Sequence, residues 1–362
     1  MHLASVEVIP YALPFREPYV TARGRLEQRE MVLLRLRSDE GLVGLGEAVP
    51  LSLRGGATLE RVVAELNQLA EQPDLREGEL EDESALASEA FALSAPSRCA
   101  TLTALMDLRG RLAAAAGGSE REEEDEEERP VECNATLVAG EPSAVAEDAL
   151  RWAEAGFSTF KLKLGAGDDV GRVRAVREAV GAEARIRVDV NAVWDLATAR
   201  RRLAELEEFA IELAEQPVAT LEELAELSLD SSIPIAADES VTNVEQAERA
   251  ASIGACAYTG IKLSKVGGPE HAVAIADLLP AYMSSALDGP VGIAAAAQVA
   301  QTLHDTDRPE RLDLAHGLAT QRLFASTIAA VECELRGAML HPPTGPGLGV
   351  EIDEDALEAH RL

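Results

Sequence analysis

Lysine is scarce in this chain: Lys161, Lys163, Lys262 and Lys265 are the only four among 33 basic residues, the others being arginine. Lysine, unlike arginine, can give up its proton near neutral pH, so each of the four is a candidate for acid–base work. Lys161 and Lys163 are separated by one residue and would share a face on a strand. Downstream, acidic and amide groups recur in Asp189-Val190-Asn191, Glu215-Gln216-Pro217 and Asp238-Glu239-Ser240, followed by Lys262. The steps from Lys163 through Asp189, Glu215 and Asp238 to Lys262 are 26, 26, 23 and 24 residues. Each is one βα unit long, and barrel enzymes carry their chemistry at strand C-termini.

Asp189, Glu215 and Asp238, from three consecutive strands, form an all-oxygen donor set. Such a set suits Mg²⁺, with Mn²⁺ as a substitute, whereas zinc would draw on His or Cys. Lys262 falls four strands beyond Lys161 and Lys163, so the two lysine groups are expected to face a bound substrate from opposite sides. The pattern fits removal of a proton alpha to a carboxylate, whose enediolate needs concentrated positive charge. Lys161, Lys262 and the metal would supply that charge and depress the proton affinity of Lys163, making it the base. Lys265, before Val266-Gly267-Gly268, is expected to be a loop cation. Glu239 is left between a partner of the site residues and a helix N-cap. His304 and His316 are expected to be structural, and Asn134 to line the barrel.

These side chains need a scaffold that brings strand ends together. Short β-branched runs at 134–138, 159–164, 186–190, 211–215, 233–237, 258–263, 282–287 and 312–316 alternate with helical stretches. Eight strands with seven helices between them have the rhythm of a TIM-like barrel. No GxGxxG follows the first strand, which argues against a doubly wound sheet. Upstream, residues 31–37 and 41–46 flank the turn Ser38-Asp39-Glu40 as a hairpin, and 58–72 and 83–115 carry helical spacing. The predicted organisation is α/β: an α+β capping domain over 1–118, an acidic linker over 119–130, a (β/α)7β barrel over 131–332, and a segment over 333–362 returning to the cap.

The chain has 362 residues, 47% hydrophobic, enough for a barrel and a smaller partner. No apolar run approaches the roughly 18–20 residues that span a bilayer. Residues 1–7 lack a signal-peptide pattern, and the four cysteines are scattered without CxxC pairing. A cytoplasmic protein is expected. A net charge of −31 disfavours nucleic acid and anionic membranes, leaving a small carboxylate substrate as the expected partner and a homo-oligomer open. The same charge predicts an acidic surface suited to high salt.

Together, KxK, DxN, EQP and ADES resemble the muconate-lactonizing-enzyme subgroup of the enolase superfamily. Gly41-Leu42-Val43-Gly44-Leu45-Gly46-Glu47-Ala48 and Ala104-Leu105-Met106-Asp107-Leu108 extend the resemblance through the cap. It implies a modified barrel, Lys163 as principal base, Lys161 as its neighbour, Lys262 as the opposed lysine, and Asp189, Glu215 and Asp238 as Mg²⁺ ligands. Ser284-Ser285-Ala286-Leu287-Asp288, Val291-Gly292, His316-Gly317-Leu318-Ala319-Thr320 and Arg23-Gly24-Arg25 with Arg29 resemble the o-succinylbenzoate synthase branch. That branch contains carbon–oxygen lyases of menaquinone biosynthesis, and the resemblance implies substrate contacts from Asn191, Ser284, Ser285 and Arg23. Strand seven lacks the Asp-x-Asp associated with dipeptide epimerases. An N-succinylamino acid racemase, or another isomerase of the subgroup, remains the alternative. The cap loops at 19–25 and 51–56, including Arg23 and Arg54, are expected to close over the substrate tail.

Overall fold

The structure is a computed structural model and describes residues 2–21, 24–52, 55–72, 89–117, 129–304 and 314–362. The acidic run at 120–128, Arg23, Arg54 and the side chain of His304 lie outside the described residues.

Strands β1 (Leu3–Thr21), β2 (Gly24–Ser38) and β3 (Val43–Ala48) form an antiparallel sheet in that order. The unbroken apolar run Met31–Leu34 follows from burial of β2 on both faces. Met31 and Leu33 join the main core, whereas Val32, Leu34 and Leu36 join a separate cap core, as the two-residue side-chain period requires. Val62, Leu66 and Leu69 of α1 (Leu59–Ala70) and Ala100, Ala104 and Leu108 of α2 (Ala95–Ala115) complete the cap core. Glycine lets α2 press onto β3: a Cβ at Gly46 would stand 1.9 Å from the Ala100 carbonyl oxygen. The helical spacing over 83–115 is interrupted, because residues 92–94 leave the helix before Pro96 in the first turn of α2. Glu65 of α1 holds that start, accepting from the Ser94 backbone N–H at 3.1 Å and the Ser97 hydroxyl at 2.7 Å.

After a short β4 (Val131–Glu132), a parallel seven-stranded sheet runs in sequence order through β5 (Ala135–Leu137), β6 (Thr159–Lys163), β7 (Arg185–Asp189), β8 (Ile211–Glu215), β9 (Ile235–Ala237), β10 (Tyr258–Ile261) and β11 (Ala281–Met283). The connecting helices are α3 (Pro142–Glu154), α4 (Asp169–Val180), α5 (Leu196–Leu206), α6 (Leu221–Asp230), α7 (Val244–Ile253), the one-turn α8 (Leu263–Val266), α9 (Pro269–Leu278) and α10 (Pro290–His304). Of the expected strand at 312–316, residues 312 and 313 lie outside the described residues, and its end takes part in bridges. His316 pairs with Cys133 and Gly317 with Ser284, both in parallel. Backbone bonds from Asn134 to the His316 carbonyl (2.8 Å) and from Gly317 to the Met283 carbonyl (2.8 Å) close the ring. The fold is thus a modified TIM barrel with an N-terminal cap.

The C-terminal residues bind both parts. β14 (Met339–His341) pairs with β13 (Glu334–Arg336) and β4. Beyond β12 (Ala329–Val331) and β15 (Glu351–Ile352), α11 (Glu354–His360) packs beside β1, and the Leu362 N–H donates to the Pro10 carbonyl at 3.1 Å. Asp107 of α2 is fully buried and accepts from the backbone N–H groups of Leu45 (2.8 Å) and Leu348 (2.7 Å). Among the described residues no helix is long and apolar enough to cross a membrane.

Candidate active site

Parallel register sets the site. Lys163 is aligned with Asp189, and Asp189 with Glu215, at the C-terminal ends of β6, β7 and β8. Asp238 follows β9 and Lys262 follows β10. A cavity of about 400 Å³ opens there, lined on the barrel side by Lys161, Lys163, Asn191, Lys262, Lys265, Ser284 and Ser285. Tyr19, Leu26, Arg29, Pro50, Leu51 and Gly55 of the cap line its other side. Three strands, β7, β8 and β9, separate the Lys161–Lys163 pair from Lys262.

Asp189, Glu215 and Asp238 are completely buried beside the lysines. Lys161 Nζ bridges two of them, at 3.0 Å from Asp189 Oδ2 and 2.6 Å from Glu215 Oε2. Lys163 Nζ donates to Asp189 Oδ2 at 2.6 Å and to Asn191 Oδ1 at 3.0 Å, and Lys262 Nζ donates to Asp238 Oδ2. Ammonium groups therefore stand between the carboxylates that the sequence places side by side. Among the described residues no three His, Cys, Asp or Glu side chains are gathered as a metal cage. The donor chemistry still fits Mg²⁺: three buried carboxylates from neighbouring strand ends, without His or Cys. Uncompensated, such burial would be prohibitive, and the lysines supply the compensation here.

Burial would raise the Asp189 carboxyl, but Lys161 and Lys163 outweigh it and hold this group well below the usual carboxylate range. Burial and the Asp189 charge instead raise Glu215, against the opposing pull of Lys161. Lys161 is itself raised: burial disfavours its charge, but Asp189 and Glu215 together more than reverse that effect. Lys161 is thereby suited to stay protonated and stabilise negative charge.

Lys265 requires a correction. It is buried, and its ammonium reaches Asp238 Oδ1 at 2.7 Å, the Asp238 carbonyl at 2.5 Å and the Gly260 carbonyl at 3.0 Å. The expected strand at 258–263 ends at Ile261, Lys262 caps α8, and this single turn directs Lys265 into the site. Glu239 accepts from Asn191 Nδ2 at 3.1 Å, making it a partner of a cavity residue. His316 is buried, and its Nδ1 accepts from the Met283 N–H at 2.9 Å. Asn134 is buried where the ring closes. Sequence reasoning also missed Tyr282, whose hydroxyl donates to Glu215 Oε2 at 2.5 Å; its placement within a strand marked it only as core.

The fold and site define a capped-barrel protein with opposed lysines over a buried carboxylate row. Residues 144–356 match the family described as enolase C-terminal domain-like, and residues 4–116 match the mandelate racemase / muconate lactonizing enzyme N-terminal domain. The chain belongs to the enolase superfamily, in its muconate-lactonizing-enzyme subgroup. An o-succinylbenzoate synthase from Thermobifida fusca (strain YX) is 39% identical over 207 residues, covering 55% of this chain and 63% of that protein. The match therefore spans less than two thirds of that relative. A muconate lactonizing enzyme from Pseudomonas fluorescens, complexed with muconolactone, aligns with a TM-score of 0.88 at 27% identity, covering 100% of this chain and 99% of that one. A dipeptide epimerase from Cytophaga hutchinsonii, complexed with Mg and dipeptide D-Ala-L-Val, aligns with a TM-score of 0.86 at 26% identity, covering 99% and 98%.

Proposed function

We propose that this protein is an o-succinylbenzoate synthase, a carbon–oxygen lyase that dehydrates 2-succinyl-6-hydroxy-2,4-cyclohexadiene-1-carboxylate to 2-succinylbenzoate. The observation that carries the reading is the convergence of Lys163 and Lys262 on one cavity from opposite sides of three intervening strands, beside Asp189, Glu215 and Asp238. The Thermobifida fusca relative supports this branch of the subgroup.

In this reading Asp189, Glu215 and Asp238 hold Mg²⁺, which when bound supplies the concentrated positive charge that ionisation of an α-carbon acid requires. Lys163, as the free amine, takes the α-proton, and the C–H electron pair moves onto the carboxylate as an enediolate. That pair then forms the ring double bond as the C–O bond breaks. Lys163 returns its proton to the departing hydroxide, which leaves as water. Lys161 and Lys262 remain protonated and stabilise the enediolate, Lys262 from the opposite face. Asn191, Ser284 and Ser285 contact substrate from the cavity wall. Arg23, with the loops at 19–25 and 51–56, reads the succinyl tail.

The same reading assigns 1–118 and 333–362 to the cap, 131–332 to the catalytic barrel, and 119–130 to the link between them. A cytoplasmic setting belongs to it as well, supported by four free cysteines. Opposed lysines would also serve an N-succinylamino acid racemase, with one removing a proton and the other replacing it on the opposite face. A paired assay tests the choice: purified protein with Mg²⁺ receives the cyclohexadiene substrate in one arm and an N-succinyl-L-amino acid in the other. Formation of 2-succinylbenzoate with at least about hundredfold greater kcat/KM than racemisation supports the synthase, a gap of roughly 2.7 kcal/mol in barrier. The reverse order overturns it in favour of the racemase.

A further inference from the structure

Lys265 is the one lysine to which the proposed chemistry gives no task. An ammonium has three N–H donors, and the three acceptors of Lys265 are Asp238 Oδ1, the Asp238 carbonyl and the Gly260 carbonyl. The group thus ties the end of β9 to β10. Its approach depends on α8: the Lys265 N–H donates to the Lys262 carbonyl at 2.9 Å, and Gly267 ends the turn at φ +95°. That turn presents Lys262 and Lys265 to the two oxygens of one carboxylate. Lys262 meets Oδ2, and Lys265 meets Oδ1. A compact ammonium with three rotatable donors suits three acceptors clustered about one point, consistent with a lysine here in a chain whose basic residues are mostly arginine.

We propose that Lys265 is a positioning residue that commits Asp238 Oδ1 to the protein, so that, once Lys262 turns from Oδ2 to the substrate, Asp238 offers a cation one oxygen and the site selects Mg²⁺ over Ca²⁺. The inference rests on the reading of Asp238 as a cation ligand. Mg²⁺ demands a small, near-octahedral shell, whereas Ca²⁺ accepts six to eight oxygens and readily takes both oxygens of a carboxylate. Occupying Oδ1 with an ammonium withholds the second oxygen and penalises the larger ion. Removing that ammonium changes the local field equally for two divalent ions, so the ratio of their affinities isolates the positioning effect.

The test is calorimetric titration of wild type, Lys265→Met and Asp189→Asn with MgCl2 and, separately, CaCl2, with circular dichroism establishing the fold. Wild type is expected to prefer Mg²⁺, and Lys265→Met to shift the Ca²⁺:Mg²⁺ affinity ratio toward Ca²⁺ by about tenfold or more, the scale seen when a ligand's supporting partner is lost. Asp189→Asn is expected to weaken both ions. An unchanged ratio in folded Lys265→Met, while Asp189→Asn still loses binding, overturns the role of Lys265 and leaves the cation site standing. Failure of wild type to bind either ion overturns both. If Lys265→Met does not fold, wild type decides: with only four lysines, ¹³Cε-lysine labelling gives four signals, assigned by single Lys→Arg variants. Lys265 is expected to move least on Mg²⁺ addition, and a shift as large as that of Lys262 overturns the proposal.

Discussion

Tyr282 and Glu215 meet at 2.5 Å in the barrel interior, the phenol donating to Glu215 Oε2 across a sequence separation of 67 residues. The Tyr282 ring also faces the guanidinium of Arg187, which lies 5.2 Å from its centroid and is itself fully buried. Burial and the Glu215 charge push the phenol well above its ordinary range, so it stays a donor. Tyr282→Phe keeps the ring and removes one of the two donors to this buried carboxylate oxygen, leaving Lys161 at 2.6 Å. The expected loss is about 1–3 kcal/mol of stability and roughly ten- to hundredfold in Mg²⁺ affinity. Denaturant unfolding and calorimetry measure the two effects.

Cation binding should itself stabilise the fold. A ligand bound by the native state alone adds about 2.7 kcal/mol at a hundred times its Kd. Mg²⁺ is therefore expected to raise the melting temperature of wild type, and chelation to reverse the gain and abolish turnover. Asp189→Asn, lacking one of the buried carboxylates, should melt at a temperature insensitive to Mg²⁺. Differential scanning calorimetry with and without chelator checks both expectations.

A second carboxylate cluster predicts a pH effect at the junction of cap and barrel. Glu47 of β3 accepts from Tyr11 Oη at 2.8 Å and from the Gly289 N–H, just before α10, at 2.6 Å. Burial first, then the charge of Asp288, raise it from 4.5 to about 7. The folded state consequently holds this proton more tightly than the unfolded chain. Its stabilising contribution is complete below about pH 4.5 and is lost as pH rises through about 7. Each tenfold gain in proton affinity on folding is worth about 1.4 kcal/mol, so the loss is on the order of a few kcal/mol. Glu47→Gln should lose less stability than wild type between pH 5 and pH 8, as read by denaturant melts at each pH.

What the sequence disclosed and what it concealed divide along physical lines. Lys161, Lys163, Asp189, Glu215, Asp238 and Lys262 were legible as a group because strand period and βα spacing are regular, and register carries them to one end of the barrel. Lys265 was not, because its direction depends on one turn of helix in a stretch that reads as a loop. Tyr282 and Arg187 were hidden for another reason. A strand pattern reveals that a position is inward but not which residues from other strands will meet it. The contact of Glu47 with Gly289 spans 242 residues, and no local pattern encodes it. The closing strand expected at 312–316 is met at its described end, where bridges at His316 and Gly317 complete the ring.

The acidic surface carries its own expectation. At a net charge of −31, self-repulsion opposes the compact state in dilute buffer and is screened within about 10 Å at 0.1 M salt. The melting temperature is expected to rise on going from dilute buffer to molar KCl, most steeply at low concentration. A flat response in a KCl titration would remove the salt-adapted reading of this surface.

The central claim, that Lys163 removes an α-proton in a cation-assisted dehydration, is tested most directly by single-substrate turnover. Wild type and Lys163→Ala, both shown to be folded, are incubated with saturating Mg²⁺ and 2-succinyl-6-hydroxy-2,4-cyclohexadiene-1-carboxylate, and 2-succinylbenzoate is quantified over time. The expected result is Mg²⁺-dependent product from wild type and a kcat lower by about 10²–10⁴-fold in the variant. Absence of product from wild type, or a variant within tenfold of it, would contradict the account.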